Sequence, residues 1–363
     1  MSPRPKPGVL DITPYVGGRG PAPGGPAAIK LSSNESALGP SPAAIAAYEA
    51  ARADLSFYPE GSARLLRDAI AEVHHLDPER IVCGNGSDEI ISLLAHIYLS
   101  RGDEVLFTEH AFLVYRIAAL ANSAVPVAVP EKDLRAHVES MLAAVTPRTR
   151  LVYLANPNNP TGSCLSAAEI RHLHEGLPDS TLLVLDAAYA EYVQRDDYEA
   201  GAELVARFDN VVMTRTFSKI YGLAGLRVGW AFCPEPVVDA INRVRGPFNV
   251  SVAAQRAAAA ALRDRGHVAR AVAHNAEWKS WLAANIRVCG LRVDEGEGNF
   301  LLIHFASPRD AQSADAFLTS RGFIVRPVAN YGLSHCLRLT VGNAEADRGV
   351  AAALSDFARQ SAA

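Results

Sequence analysis

From Ile81 onward, short apolar runs alternate with stretches of helical periodicity. Ile81–Cys83, Glu104–Thr108, Ala124–Val129, Leu151–Leu154, Thr181–Leu185, Val211–Thr214 and Leu226–Phe232 read as strands. Between them, Ser87–Leu99, Phe112–Leu120, Leu134–Val145 and Ala167–Gly176 carry helical spacing. Such alternation predicts an α/β fold, with a mostly parallel sheet covered by helices. Past residue 234 the pattern changes. Val237–Arg245, Ser251–Arg263 and Val268–Ala284 read as long helices. Short strands at Asn299–Phe305, Phe323–Pro327 and Leu337–Val341 follow, with helices at Ala311–Arg321 and Ala344–Arg359. That predicts a smaller domain of α+β type. Near the start, Gly17–Pro26 is rich in glycine and proline and reads as an extended arm. The expected division is an arm over 1–33, a large domain over 34–245 that leaves some N-terminal residues with the small one, and a small domain over 246–363.

A chain of 363 residues has room for two or three structural units. Hydrophobic residues make up 49% and charged residues 20%, which excludes wholesale disorder and a disulfide miniprotein. Lys+Arg is 35 and Asp+Glu 39, a net charge of −4, so no basic surplus points to nucleic acid or an anionic membrane. The five cysteines are scattered, with no C-x-x-C, so the expectation is a reducing compartment and no metal. Met1–Gly8 lacks the apolar core of a signal peptide, and no window approaches a membrane span. A cytoplasmic protein is expected.

In open parallel sheets, ligands sit beyond the carboxyl ends of the strands. Four such places carry unusual polar residues. Gly84-Asn85-Gly86-Ser87-Asp88-Glu89 joins a strand to a helix, with Ser87 expected as its N-cap. Free N–H groups and the helix dipole would make it an anion cradle, although a plain turn has the same look. Asn156-Pro157-Asn158-Asn159-Pro160-Thr161-Gly162 is an irregular loop rich in hydrogen-bonding groups. Asp186 ends a buried strand, where a carboxylate needs a cation or donors, and Tyr189 follows it. Thr216-Phe217-Ser218-Lys219 ends another, and desolvation there would give Lys219 a nucleophilic amine suited to a Schiff base. Taken singly, each place has a bland reading: a turn, a helix cap or a solvated lysine. Together they suit a phosphorylated aromatic aldehyde with a ring nitrogen.

With NPNNPTG, the TFSK…GLAGLR run, YGLSHCLRLTVG, LSSNESALGPSP and YPEGSARLLRDAI in this order, the chain resembles fold-type I pyridoxal-phosphate aminotransferases. Within that group it is similar to histidinol-phosphate aminotransferases, from about Ile12 to the C-terminal helix. The resemblance implies a role for each matching residue. Lys219 would carry pyridoxal 5′-phosphate and Asp186 would pair with its ring nitrogen. Asn159 and Tyr189 would donate to the phenolic oxygen, and Phe112 would stack on the ring. The phosphate would lie on Ser87 and Asp88 N–H groups with Thr216, Ser218 and Arg227. Tyr58 of a neighbouring subunit in a homodimer would reach the same phosphate. Arg326 and Arg338 would bind the substrate, and Tyr15 and Asn34 would close over it. Two places depart from the family's usual run: Ala187 stands where glutamate is common, and Asn34-Glu35-Ser36-Ala37 lacks a proline.

The implied reaction is transamination between an amino donor and a 2-oxo acid, by analogy L-histidinol phosphate and 2-oxoglutarate in histidine biosynthesis. Lys219 would serve as the base that moves the α-proton. Rivals within the family are an aromatic amino-acid aminotransferase and a threonine-phosphate decarboxylase. A nicotinamide oxidoreductase, argued from Gly84-Asn85-Gly86, lacks the third glycine and leaves Lys219 unexplained. A transcription regulator would need an appended DNA-binding domain. His172 and His174, beside Glu175, are expected on an exposed helix face rather than on a metal.

Overall fold

The computed structural model describes residues 3–20 and 28–362. Pro21–Pro26 of the expected arm lie outside the described residues. The chain opens with β1 (Ile29–Lys30), α1 (Pro42–Ala50) and α2 (Arg64–His74). The alternating region follows as β2 (Ile81–Gly84), α3 (Ser87–Tyr98), β3 (Glu104–Thr108), α4 (Val114–Ala121), β4 (Val125–Val129), α5 (Val138–Ala143), β5 (Thr149–Ala155), α6 (Ala167–Glu175), β6 (Leu182–Asp186), α7 (Ala202–Arg207), β7 (Val211–Thr216) and β8 (Gly229–Phe232). The last third holds α8 (Glu235–Val244), α9 (Val252–Arg263), α10 (Arg265–Val288), β9 (Arg292–Asp294), β10 (Phe300–His304), α11 (Pro308–Ser320), β11 (Phe323–Ile324), β12 (Arg326–Val328), β13 (Leu333–Thr340) and α12 (Ala344–Ala362).

Seven strands form one sheet in the order β2-β8-β7-β6-β5-β3-β4, parallel except where β8 runs against both its neighbours. Its strands are apolar on both faces because successive side chains point to opposite sides. Leu106, Val152, Leu154, Leu183, Leu185 and Met213 enter one core. Val105, Phe107, Leu151, Tyr153, Val184 and Val212 enter the other, with Ile91 and Leu94 of α3 and Ala118 of α4. A second sheet, β12-β13-β10-β9, is antiparallel and packs with α10, α11 and α12 around Leu301, Ile303, Leu318, Leu337, Leu339 and Leu354. Along α10, Ala271 belongs to the first sheet's core, whereas Trp278, Leu282 and Ile286 belong to the second's.

Local backbone chemistry accounts for the departures from the expected pattern. The helix expected from Leu134 starts at Val138, because Asp133 and Leu134 sit at φ 50° and 59°, outside helical space. The run Phe323–Pro327 splits into β11 and β12, which join different sheets. Ser87 is the first helical residue of α3 and makes no side-chain cap; Gly86, at φ 85°, takes the cap position. His172 is exposed as expected and meets Glu139 at 2.7 Å. His174 is not: it is buried against Phe208, with Nε2 2.8 Å from Asn210 Oδ1.

Candidate active site

The carboxyl ends of β2, β5, β6 and β7 converge on one cavity of about 300 Å³. Every expected site residue except Tyr58 lines it: Tyr15, Asn34, Ser87, Asp88, Phe112, Asn159, Asp186, Tyr189, Thr216, Ser218, Lys219, Arg227, Arg326 and Arg338. Tyr58 is 82% exposed and stacks on Phe248 at 4.7 Å between ring centroids. It forms no part of this cavity.

Lys219 lies just past β7, with Nζ donating to Ser33 O at 3.0 Å. Burial, reinforced by nearby Arg338, lowers its pKa to about 8, so a neutral amine is accessible near neutral pH. Asp186, the last residue of β6, is buried, and burial raises its carboxyl to about 6. Tyr115 Oη donates to Asp186 Oδ2 at 2.7 Å, and Thr214 Oγ1 donates to Oδ1 at 3.3 Å. Both donors favour the ionised form and oppose the burial. Tyr115 was not expected in the site. It stands one helical turn after Phe112, with its ring stacked on Tyr153 at 4.8 Å. The helical spacing of Phe112–Leu120 says nothing of where the Tyr115 hydroxyl points.

Asn34 sits at φ 58° and donates through Nδ2 to Tyr189 Oη at 2.8 Å. Burial keeps the Tyr189 phenol protonated, above its usual range. At the β2–α3 junction, Arg227 Nη1 donates to Ser218 Oγ at 3.3 Å and Nη2 to Asp88 Oδ2 at 3.2 Å. A Cβ on Gly86 would meet Arg227 Nη2 at 2.5 Å, and one on Gly229 would collide with Ser87 N. Gly229 thus lets β8 pack close against the start of α3, and Gly86 leaves room for Arg227, so that the α3 N-terminus, an arginine and the hydroxyls of Ser218 and Thr216 meet at one end of the cavity. That chemistry suits a phosphate.

The second sheet supplies a different anion site. Arg326 and Arg338 face each other directly across β12 and β13, and are 7% and 5% exposed. Among the described residues neither forms an ion pair. Arg326 Nη2 donates to Val16 O at 2.7 Å. Arg338 donates to Ser32 O at 2.7 Å and to Asn159 Oδ1, and its buried Nε has no partner. Burial lowers the Arg338 pKa, and Arg326 adds to the effect. Two like charges held opposite each other in a dry sheet are costly without an anion. Tyr15, edge-on to Phe112 at 6.3 Å, and Gly18, where a Cβ would collide with Ser33, bring the N-terminal segment across the mouth.

A buried amine, a buried carboxylate below a tyrosine, a phosphate recess and an arginine pair beyond the strand ends define an aspartate-aminotransferase-like enzyme of fold type I. The sequence profile of the aminotransferase class I and II family matches residues 26–354, and the chain belongs to that family. It is 54% identical over 361 residues to a histidinol-phosphate aminotransferase of Rhodopseudomonas palustris (strain TIE-1), covering 99% of each chain. The same identity and coverage hold for the histidinol-phosphate aminotransferase of Nitrobacter hamburgensis. Among solved structures, a histidinol-phosphate aminotransferase from Sinorhizobium meliloti in complex with pyridoxal-5′-phosphate superimposes with a TM-score of 0.90 at 29% identity, over 97% of each chain. A Thermus thermophilus aspartate aminotransferase shares the fold, with a TM-score of 0.81 at 22% identity over 91% of this chain and 96% of that one. Among the described residues no helix is long and apolar enough to cross a membrane.

Proposed function

We propose that the protein is a pyridoxal-phosphate-dependent aminotransferase that exchanges an amino group between L-histidinol phosphate and 2-oxoglutarate in histidine biosynthesis. The observation that carries the substrate class is the Arg326–Arg338 pair, buried without a counter-ion among the described residues, in the same cavity as Lys219. A bidentate guanidinium accepts either the phosphate of one substrate or the carboxylate of the other. The similarity to histidinol-phosphate aminotransferases over 99% of the chain supports the particular donor.

The cavity fits the cofactor on its own chemistry. The part of the cavity at the α3 N-terminus would take the phosphate, with Ser87, Asp88, Thr216, Ser218 and Arg227 around it. Asp186 would pair with the ring nitrogen, Phe112 would cover the ring, and Lys219 would attach covalently. Bound there, pyridoxal phosphate supplies an electron sink for the substrate's α-carbon. Asp186, kept ionised by Tyr115 and Thr214, holds the ring nitrogen protonated. Tyr189 Oη accepts from Asn34, which leaves its own proton to donate, and it would donate it to the ring oxygen. Asn159 offers its amide nitrogen to the same oxygen while its Oδ1 accepts from Arg338. Lys219 Nζ, once the incoming amine of the substrate has displaced it, would be a free amine, neutral in part near pH 8, placed to take the substrate α-proton. Tyr15 and the segment at Gly18 exclude water.

Tyr58 reaches the cofactor phosphate of a partner subunit in a homodimer. In support, Leu55, Phe57 and Tyr58 are 81%, 71% and 82% exposed, an apolar group that a partner would cover. The five cysteines are free thiols, in keeping with a reducing cytoplasm. The division proposed is a large domain over 34–245 and a small domain over 246–363; along α10 the apolar contacts pass from the first core at Ala271 to the second at Trp278.

The test is a comparison of donors with and without the phosphate. L-histidinol phosphate should exceed L-histidinol in kcat/KM by roughly 100-fold, the worth of one or two charge-assisted contacts. Equal values would overturn the role of the arginine pair.

A further inference from the structure

The second sheet brings together a set of side chains that the transamination site does not use. His304 and Cys336 are direct cross-strand partners on β10 and β13. Cys336 Sγ lies 3.3 Å from His304 Nδ1, and His304 Nε2 lies 2.7 Å from Asp294 Oδ2 on β9. The His335 ring is 5.8 Å from that of His304. One donor atom each from His304, His335 and Cys336 fall within 4.8 Å of one another. His304 and Cys336 are buried and His335 is half-buried.

We propose that His304, His335 and Cys336 form a binding site for a divalent transition-metal ion of the zinc class, with Asp294 as the outer carboxylate. Two imidazoles and a thiolate suit zinc or cobalt and not magnesium or calcium. Asp294 is placed as outer carboxylates are in metal–histidine sites. It accepts the Nε2–H of His304, and so leaves Nδ1 bare and turned to the sulfur. The spacing is close to what an ion needs. Bonds of about 2.0–2.3 Å in a tetrahedron set donors roughly 3.3–3.8 Å apart. The His304–Cys336 pair already meets this at 3.3 Å. His335 closes the remaining distance, on the order of 1 Å, by turning a ring that is only half-buried. The open side of that ring leaves the fourth position to water.

Without the ion, the thiol proton sits between Sγ and Nδ1. Burial and then Asp294 push the thiol up to about 12, while Arg292 pulls the other way; Arg292 pairs with His304 across β9 and β10. On binding, the S–H bond breaks, a sulfur–metal bond forms and one proton leaves for the buffer; nothing is oxidised. Affinity therefore rises about tenfold per pH unit in the neutral range. The absence of C-x-x-C argued against a metal. That argument misses this cluster, because antiparallel pairing assembles it from segments far apart in the chain.

The experiment uses the holoenzyme, treated with chelator and kept reduced by a phosphine. Cobalt(II) is titrated in and difference spectra are recorded, then zinc is added in competition. One cobalt per chain is expected, with visible bands of tetrahedral strength and a near-ultraviolet thiolate-to-cobalt band. Calorimetry in two buffers of unlike protonation heat should report one proton released. Cys336→Ser should remove the thiolate band and weaken binding at least 100-fold, with transamination within about twofold of normal. His335→Ala, at a half-buried position that the fold tolerates, should weaken it at least tenfold, and Asp294→Asn roughly 10- to 100-fold. No bound cobalt, or a spectrum and affinity unchanged in Cys336→Ser and His335→Ala, would overturn the proposal.

Discussion

Replacing Tyr115 by phenylalanine isolates the support of the residue proposed to hold the ring nitrogen. The ring keeps its stack on Tyr153 and its edge contact with Phe112, and only the hydroxyl 2.7 Å from Asp186 Oδ2 is lost. A hydrogen bond to a charged group is worth about 1.5–3 kcal/mol, and one pH unit of pKa about 1.4 kcal/mol. Burial already raises the Asp186 carboxyl to about 6. Without Tyr115 it should rise further, by about one to two pH units. At pH 7 the ionised fraction then drops from about nine in ten to between about one in two and one in ten. The ionised form is the active one, so the damage should be greatest at low pH and fade as pH rises. The assay is kcat/KM for histidinol phosphate across the pH range. Protonation of the bound cofactor offsets both enzymes alike, so the shift is compared and not the absolute position. An acid limb displaced upward by about one to two units, with most activity recovered on the alkaline side, is expected. An unmoved limb, or a loss equal at every pH, would refute the reasoning.

Three further outcomes follow from the geometry. Arg338→Gln should lower kcat/KM for histidinol phosphate and for 2-oxoglutarate, each by roughly 10- to 100-fold, because both anions meet the same guanidinium; an effect on neither would remove Arg338 from the site. In cofactor-free protein, the rate of pyridoxal phosphate uptake should climb as pH rises to about 8 and then level off, since the Lys219 amine is depressed by burial and reacts when neutral; stopped-flow absorbance reads this, and a rate that falls with pH would contradict it. Tyr58→Phe should weaken cofactor retention by about 1 kcal/mol, roughly fivefold in equilibrium dialysis, if the hydroxyl reaches the partner's phosphate; unchanged retention would argue that it does not.

The alternation of apolar runs and helical periods was enough to read the large sheet, because strands buried on both faces leave continuous hydrophobic runs. Asp186 stood out because it ends an apolar run, and Lys219 because it follows one closely. The helices at Pro42–Ala50 and Arg64–His74 were not read as such. The first is alanine-rich and has little contrast between its faces. Asn159 was expected to serve the ring oxygen, yet its Oδ1 also meets Arg338, a contact between distant parts of the chain that no local pattern encodes. The role of Tyr115 depends on side-chain direction in the same way. So does the opposition of Arg326 and Arg338, which comes from the register of β12 on β13.

The most direct measurement is the half-reaction of the purified enzyme without an oxo acid. The visible absorbance of bound pyridoxal phosphate is followed as L-histidinol phosphate, L-phenylalanine or L-glutamate is added. The account predicts that histidinol phosphate bleaches it at far lower concentration than phenylalanine, and that glutamate also bleaches it. Preference for phenylalanine would keep the chemistry and replace the substrate with an aromatic amino acid. A protein that shows no chromophore even after pyridoxal phosphate is supplied would contradict the account at its root.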